Sequence, residues 1–173
     1  MISRTGVPVL HPSGLPPWRC FADNTMDVQP DFRDLLALLN EHRVEYLIVG
    51  GYALAFHGAP RFTGDIDIFV RPDSENASHV LEALAAFGFR FPDLTADDFE
   101  NPSKVVQLGV PPVRIDIITS ISGVSWEEAD AAKEPGVFGD VPVSYIGRRE
   151  YIRNKRSAGR KKDLADIEAL GED

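Results

Sequence analysis

The 173-residue chain has very little cysteine, tryptophan and methionine, and it has no long hydrophobic run. Cys20 is the single cysteine, which excludes an internal disulfide and a cysteine-rich zinc site. No apolar run approaches the ~20 residues that a membrane-spanning helix needs. The first residues also lack the charged-then-apolar layout of a secretory signal. We therefore expect a cytoplasmic protein that has no membrane partner.

The chain also lacks an excess of positive charge, since its net charge is −9. This balance argues against broad, non-specific binding of nucleic acid. The charge is unevenly distributed, because residues 148–162 hold eight of the 18 basic residues and only one acidic residue. An acidic body with one basic segment suits a metal site that faces an anion-binding element. A solvated basic helix face is the alternative interpretation of that segment.

The length and the 43% hydrophobic content predict one globular domain with a substantial core. Residues 1–24 carry four prolines and no clear periodicity, so we expect residues 1–25 to form an irregular, disordered leader. A further hypothesis is that translation starts at Met26 and that the leader is a misassigned extension. Residues 26–173 are then the single domain.

The hydrophobic pattern predicts alternating helices and strands after residue 29. Ser74 or Asn76 is expected to cap the third helix, and Pro142 predicts that the last strand lies at a sheet edge. Predicted helices span residues 30–43, 51–57, 74–88, 125–133, 147–158 and 161–170, with a weak turn at 95–100, and predicted strands span residues 45–49, 65–70, 104–108, 113–118 and 141–146.

Two acidic residues alternate with isoleucines in the second predicted strand. Because alternate residues of a strand share a face, Asp65 and Asp67 point one way, and Ile66 and Ile68 point into the core. Two like charges on one face repel each other unless a positive group lies between them. A divalent cation such as Mg²⁺ would fill this role, since it prefers oxygen ligands. A solvated strand face that carries two acids is the alternative.

A third acid lies in the strand Val-Arg-Ile-Asp-Ile-Ile at residues 113–118. Asp116 shares a strand face with Arg114, and a charge inside this apolar strand needs a partner or a metal. A local ion pair with Arg114 or with a lysine is one interpretation. If the strand lies beside Asp65 and Asp67, three carboxylates converge and could hold two metal ions roughly 4 Å apart.

The order of these motifs resembles the nucleotidyltransferase superfamily that shares its fold with DNA polymerase beta. An apolar strand leads into Gly50-Gly51, a 13-residue spacer leads to Asp65-Ile66-Asp67, and Asp116 follows on a later strand. The resemblance covers roughly residues 26–170. It implies an α+β fold, with a mixed β-sheet flanked by helices and with C-terminal helices. Gly51 stands where many members have a serine, and both forms occur in the family.

Two further segments are similar to the toxin-related, AbiEii-like branch of that superfamily. The first is Arg61-Phe62-Thr63, which precedes Asp65. The second is a lysine and a basic stretch followed by two acids, here Lys155, Arg160, Lys162, Asp163 and Asp166.

The resemblance implies transfer of a nucleoside monophosphate from a nucleoside triphosphate to a hydroxyl, with release of pyrophosphate. Asp65 and Asp67 would hold two ions of Mg²⁺ or Mn²⁺, and Asp116 would bind one of them and help to deprotonate the acceptor. The residues implied in nucleotide and phosphate binding are Gly50, Gly51, Arg61, Thr63, Lys155 and Arg160. The two glycines would let the backbone and the start of the following helix approach the triphosphate.

The spacing assigns other polar residues to supporting roles. Asp163 and Asp166 share a helix face, and we expect them to orient Lys155 or an arginine rather than to bind metal. We expect the imidazole of His57 to be satisfied by the backbone at a helix end.

The acceptor stays open at this stage: the end of a tRNA, a protein side chain or a small molecule such as an aminoglycoside. The resemblance also implies one half of a toxin–antitoxin pair with a cognate partner. A non-catalytic nucleotide- or partner-binding module of the same fold is the alternative, although the presence of all three acids disfavours it. A phosphohydrolase is disfavoured because His57 is followed by Gly58, so a histidine-aspartate motif is missing.

Overall fold

The computed structural model of the protein describes residues 29–110 and 113–172. The predicted leader at residues 1–25 and the predicted start at Met26 lie outside the described residues, so the domain organisation stays a prediction. Residues 111 and 112, in the predicted turn between two strands, also lie outside them.

The described residues form seven helices and six strands. The helices are α1 (Pro30–Glu41), α2 (Gly50–Phe56), α3 (Ser74–Phe87), α4 (Asp97–Glu100), α5 (Trp126–Ala131), α6 (Arg148–Ala158) and α7 (Lys161–Ala169). The strands are β1 (Tyr46–Val49), β2 (Asp65–Val70), β3 (Val105–Val110), β4 (Val113–Ile118), β5 (Glu134–Phe138) and β6 (Val141–Tyr145).

The six strands form one mixed sheet in the order β3-β4-β2-β1-β6-β5. The β2–β4 and β1–β6 pairs are parallel, whereas β1–β2, β3–β4 and β5–β6 are antiparallel. The predicted α+β fold with a mixed sheet and C-terminal helices is therefore confirmed. Since β2 and β4 are neighbours, the two acidic strands lie side by side.

The hydrophobic core lies between this sheet and the helices packed on it. All four residues of β1 are buried, and α1 buries the apolar face that its periodicity predicts, with Phe32 and Leu35 almost inaccessible. Ile66 and Ile68 of β2 are also completely buried. The core therefore fixes which face of β2 the two aspartates occupy, because the other face is filled with isoleucine.

The start of α3 differs from the sequence prediction. Asp73, and not Ser74 or Asn76, is the N-cap, and its carboxylate accepts a hydrogen bond from the backbone N–H of Asn76. Asn76 is instead buried, and its side chain forms hydrogen bonds to residues outside α3. Its amide oxygen accepts from the backbone N–H of Glu45, and its amide NH₂ donates to the carbonyls of Glu45 and Arg71. Asn76 thus ties α3 to the segments that flank β1 and β2.

The prediction that the strand containing Pro142 lies at a sheet edge is wrong. The strand β6 lies between β1 and β5, and the edge is β5, which the sequence analysis did not predict. Proline is tolerated because β1 pairs with β6 only around Tyr145. The carbonyl of Pro142 lies beyond that pairing and accepts a hydrogen bond from the Asn40 amide at 2.8 Å.

The C-terminal helices break at Gly159, as predicted, with a left-handed φ of 64°. The break folds α7 back onto α6, and this brings the basic segment and the two acids of α7 together. Among the described helices, none is long and apolar enough to cross a membrane. A cytoplasmic location stays a prediction.

We predict that Asn76→Ala lowers the free energy of unfolding by about 2 kcal/mol, because it leaves the Glu45 N–H without an acceptor and removes one hydrogen bond each to the carbonyls of Glu45 and Arg71. Urea denaturation followed by circular dichroism measures this difference. Ser78→Ala is the matched control on the same helix, since Ser78 is exposed and bonds only to the preceding turn. Equal stabilities for the two variants would contradict the assigned role of Asn76.

Candidate active site

The three aspartates lie on one face of β2 and β4. In the parallel register Asp67 is opposite Asp116, and Asp65 is opposite Arg114. Register partners in a sheet point to the same side, so the three carboxylates and the guanidinium share a face. Asp116 is buried, whereas Asp65 and Asp67 are partly exposed.

The guanidinium of Arg114 lies between two of these carboxylates. Its Nε donates to Asp116 Oδ1 at 2.9 Å, and one terminal nitrogen donates to both Asp116 Oδ2 at 2.9 Å and Asp65 Oδ2 at 2.7 Å. The local ion pair that the sequence analysis considered for Asp116 therefore exists. Its extension to Asp65 was not predicted, because it depends on the pairing of β2 with β4.

Asp67 is in a different electrostatic position. Burial, together with the negative charges of Asp65 and Asp116, raises the pKa of Asp67 to about 6. Among the described residues, no hydrogen-bond donor reaches its carboxylate. Asp67 is thus the member of the group with the least compensated charge.

Gly50 places the backbone directly beside Asp67. Its φ is 64°, and a Cβ built on it would overlap the Asp67 carboxylate. Position 50 therefore excludes any other residue on two grounds, the left-handed backbone and the close approach. The glycine predicted from the motif has a specific structural reason in this chain.

Gly51 lies against Thr63. A Cβ at Gly51 would come within 3.0 Å of Cβ and Cγ2 of Thr63, so a serine there would crowd the threonine. The Thr63 hydroxyl donates to the Asp65 side chain at 2.5 Å and to the Asp65 carbonyl at 3.1 Å. Thr63 therefore brings a hydroxyl to the space beside Gly51 and holds the orientation of Asp65.

The C-terminal helices contribute a buried ionic cluster. Lys155 Nζ donates to Asp163 at 2.9 Å and lies 3.2 Å from Asp166. Arg160 pairs with Asp163 at 2.6 Å, and Arg61, which precedes β2, pairs with Asp166 at 2.8 Å. These contacts agree with the expectation that the two acids orient the cations.

The two acids of this cluster are held in the charged form. Although burial alone would raise it, hydrogen bonds from Arg160 and Lys155 hold the pKa of Asp163 at about 2. Against the same effect of burial, Arg61 and Lys155 lower the pKa of Asp166. Charged carboxylates with two partners each make this cluster a fixed part of the structure.

The C-terminal cluster interacts electrostatically with the sheet carboxylates. The charges of Lys155 and Lys162 oppose the burial that raises the pKa of Asp67. The pKa of Arg160 is raised mainly by its hydrogen bond to Asp163 and also by the charge of Asp67, and the pKa of Arg61 is raised mainly by its hydrogen bond to Asp166 and also by the charge of Asp65. Arg61, Lys155 and Arg160 are therefore near enough to the aspartates of the sheet to interact with their charges.

Other basic residues of the segment do not join this group. Arg148 donates to the carbonyls of His57 and Leu170, and Arg153 pairs with Glu128 at 2.6 Å. These arginines line a separate open cavity of about 650 Å³, together with Arg149, Arg156, Glu134, Glu150 and Glu172. Four arginines and three glutamates line this cavity, so most of its positive charge is balanced by carboxylates.

The predicted histidine contact is present, since a ring nitrogen of His57 lies 2.8 Å from the carbonyl oxygen of Ile146. The sequence analysis did not single out Tyr151, whose ring lies 5.3 Å from Lys155 Nζ and whose hydroxyl donates to Asp166 at 3.3 Å. Tyr151 precedes Lys155 by four residues on the same helix, and this spacing could have predicted the contact between them.

The donor set fits a hard divalent cation, because it consists of carboxylate oxygens beside a glycine backbone. Burial, and after it the charges of Asp65 and Asp116, raises the pKa of Asp67, and the face carries three carboxylates against the single charge of Arg114. Within the described ranges, however, no three carboxylate, histidine or cysteine side chains are gathered as they would be around an ion. Arg114 accounts for this, because it holds Asp65 and Asp116 on its own nitrogens.

Residues 31–134 match the family model described as nucleotidyl transferase AbiEii toxin, type IV TA system. The match covers more than half of the chain. It includes both glycines and all three aspartates, and it ends before α6. A search of curated protein sequences gave no significant match.

Solved structures with the same fold are also nucleotidyltransferases by description. A candidate nucleotidyltransferase from Thermotoga maritima has a TM-score of 0.55 at 16% identity, covering 82% of this chain and 92% of its own. The antibiotic-resistance factor ANT(2'')-Ia has a TM-score of 0.54 at 14% identity, covering 81% and 80%. The lincomycin-bound lincosamide adenylyltransferase LnuA has a TM-score of 0.50 at 15% identity, covering 83% and 97%. At these identities the likeness shows the fold.

We predict that Lys155→Met lowers the free energy of unfolding by about 3 kcal/mol, because it leaves two buried carboxylates each with a single cationic partner. Thermal and urea unfolding at neutral pH measure the loss. Lys161→Met is the matched control, since Lys161 is exposed at the start of α7. A loss as small as that of the control would show that the cluster contributes little to stability.

Proposed function

The chain belongs to the AbiEii family of nucleotidyl transferase toxins, and on this basis we propose that it moves a nucleoside monophosphate from a nucleoside triphosphate to a hydroxyl acceptor. The observation that carries the proposal is the common face of Asp65, Asp67 and Asp116 on two paired strands, with Gly50 packed against Asp67. Three carboxylates on one face of the sheet, beside a bare backbone, suit a triphosphate accompanied by divalent cations.

Asp65, Asp67 and Asp116 would hold one or two ions of Mg²⁺ or Mn²⁺ in this proposal. The bound ions would neutralise the charge of the phosphates and of the attacking and leaving oxygens. Thr63 keeps the Asp65 carboxylate in place through its hydroxyl. Gly50 leaves the space beside Asp67 free of side chains.

The phosphates of the nucleotide would lie between Gly50-Gly51 and the cations of the C-terminal cluster. The side chains of Arg61 and Arg160 are 42% and 61% exposed to solvent, and an aspartate fixes one side of each guanidinium. A guanidinium fixed on one side is preorganised to receive an anion on the other. Lys155 is buried and uses two of its three donors within the cluster, so it contributes through its charge and its third N–H.

The acceptor would approach from the β3 side of the sheet. Asp116 lies on β4, and its neighbour on β3, Gln107, is exposed. In the proposed step the acceptor oxygen bonds to the α-phosphorus, its proton passes to Asp116, and the bond to pyrophosphate breaks. The open β3 side leaves room for an acceptor larger than the nucleotide.

The family and the similar structures suggest candidates for the acceptor and the partner. LnuA is described as a lincosamide antibiotic adenylyltransferase, which supports a small-molecule acceptor as one candidate. A toxin family favours a macromolecular acceptor, either the end of a tRNA or a protein side chain. A cognate antitoxin is the proposed protein partner.

The decisive experiment is label transfer from each α-labelled nucleoside triphosphate, with Mg²⁺ or Mn²⁺, to total tRNA, to lysate protein or to an aminoglycoside. We expect label in one acceptor class with the wild-type protein and none with the Asp65→Asn/Asp67→Asn variant. Asp140→Asn is the control, since Asp140 is an exposed carboxylate paired only with Arg33. Nucleotide binding without transfer to any acceptor would favour the non-catalytic binding module.

A second prediction concerns the threonine beside the glycine pair. We expect Thr63→Val to reduce the rate of transfer by at least about 10-fold, because Asp65 loses the hydroxyl that orients it. Thr63→Ser keeps the hydroxyl and is expected to keep most of the activity. Equal rates for the valine and serine variants would show that Thr63 acts only through its packing on Gly51.

A further inference from the structure

Arg114 occupies a position in the candidate site that the proposed function does not use. Three hydrogen bonds of 2.7–2.9 Å join its guanidinium to Asp116 and Asp65. These carboxylates lie on different strands, so the arginine bridges β4 and β2 at the site itself. A third of the Arg114 side chain is still exposed to solvent.

The oxygens that bind Arg114 are those that a metal ion would need. Both oxygens of Asp116 and one oxygen of Asp65 are bonded to the guanidinium. An ion held by Asp65 and Asp116 would lie within a few ångströms of a positive charge on the same oxygens. Like charges at such a distance repel each other strongly in a partly buried site. An ion would therefore compete with the guanidinium for these oxygens.

The surroundings of Arg114 allow its side chain to move away. Gly109 lies opposite Arg114 on β3, carries no side chain and is exposed. The guanidinium can thus turn toward solvent over β3 while β2 and β4 stay paired. A side chain that is one-third exposed can make such a movement, whereas one enclosed in the core cannot.

We propose that Arg114 is a built-in competitor of the divalent cation: it holds Asp65 and Asp116 in the free protein and must release them before the ion binds. The inference rests on the proposed function, because it assumes that these aspartates are metal ligands. Arg114 is then a positioning residue that lowers the metal affinity of the free protein. It also keeps the two carboxylates together while no ion is present.

A purely structural role for Arg114 makes the opposite prediction. If the guanidinium only holds the carboxylates in a shape that suits the ion, its removal disorders the ligands and weakens metal binding. If it competes, its removal strengthens metal binding. The direction of the change in affinity therefore separates the two roles without any measurement of activity.

The test is Mn²⁺ binding to the full chain without nucleotide, measured by calorimetry or by the electron paramagnetic resonance of free Mn²⁺. We expect Arg114→Gln to lower the dissociation constant at least about 10-fold, which corresponds to about 1.4 kcal/mol. The matched control is Arg71→Gln, because Arg71 also bridges two carboxylates, those of Glu45 and Asp73, outside the site. Arg71→Gln should leave the dissociation constant unchanged.

Thermal unfolding gives a second readout and controls for folding. Without ions Arg114→Gln should melt below the wild type, because Asp65 and Asp116 lose their counter-charge. Saturating Mn²⁺ should raise its melting temperature more than that of the wild type, because tighter binding stabilises the native state more. Arg114→Lys, which keeps the charge but not the forked geometry, should fall between the two in Mn²⁺ affinity.

Unchanged or weaker Mn²⁺ binding by Arg114→Gln overturns the inference, and it leaves the proposed function intact if the wild type transfers label. Absence of Mn²⁺ binding in both the wild type and Arg114→Gln overturns the inference and the metal site together. Tighter binding that persists when Asp65→Asn and Asp67→Asn are added to Arg114→Gln also overturns it, because the ion then lies elsewhere.

Discussion

The parallel register of β2 and β4 is the constraint on which the rest of the site depends. It places Asp67 opposite Asp116 and Asp65 opposite Arg114. A shift by one residue would turn Asp116 toward the core and bring an isoleucine to the site face. The buried isoleucines of β2 prevent such a shift, because they fill the other face of the strand completely. The hydrophobic core thus determines where the charges of the site lie.

The fold balances this concentration of negative charge with cations from distant parts of the chain. Arg61 arrives just before β2, and Lys155 and Arg160 arrive from the C-terminal helices. The left-handed Gly159 makes this possible, since it reverses the chain between α6 and α7. The turn places two acids of α7 on the lysine of α6. Most of the charge of the resulting cluster is balanced within it. Its remaining positive charge interacts with Asp67.

Local sequence patterns predicted most of the helices and strands and the positions of the carboxylates. They could do so because hydrophobic periodicity and helix capping depend on residues that are close in sequence. The predicted helix 125–133, for example, begins at Ser125, which forms a capping box with Glu128. Contacts that depend on which strands pair with each other could not be predicted from local patterns. The bond from Arg114 to Asp65 joins residues 49 positions apart, and only the strand order creates it. The strand β5 was missed because it contains Pro135 and Gly136, which are typical of turns.

Two cations of the site differ in a way that follows from their burial. Lys155 is almost inaccessible and is held by two buried aspartates, so displacing it would leave uncompensated charges in the interior. Arg114 makes comparable bonds, but it is one-third exposed and has an unobstructed neighbour in Gly109. Water can therefore solvate its guanidinium when the carboxylates take another partner. The difference in burial thus makes Lys155 a permanent counter-charge and Arg114 one that another cation can replace. The site therefore combines a buried cation, Lys155, with two carboxylates, those of Asp65 and Asp116, whose partner can change.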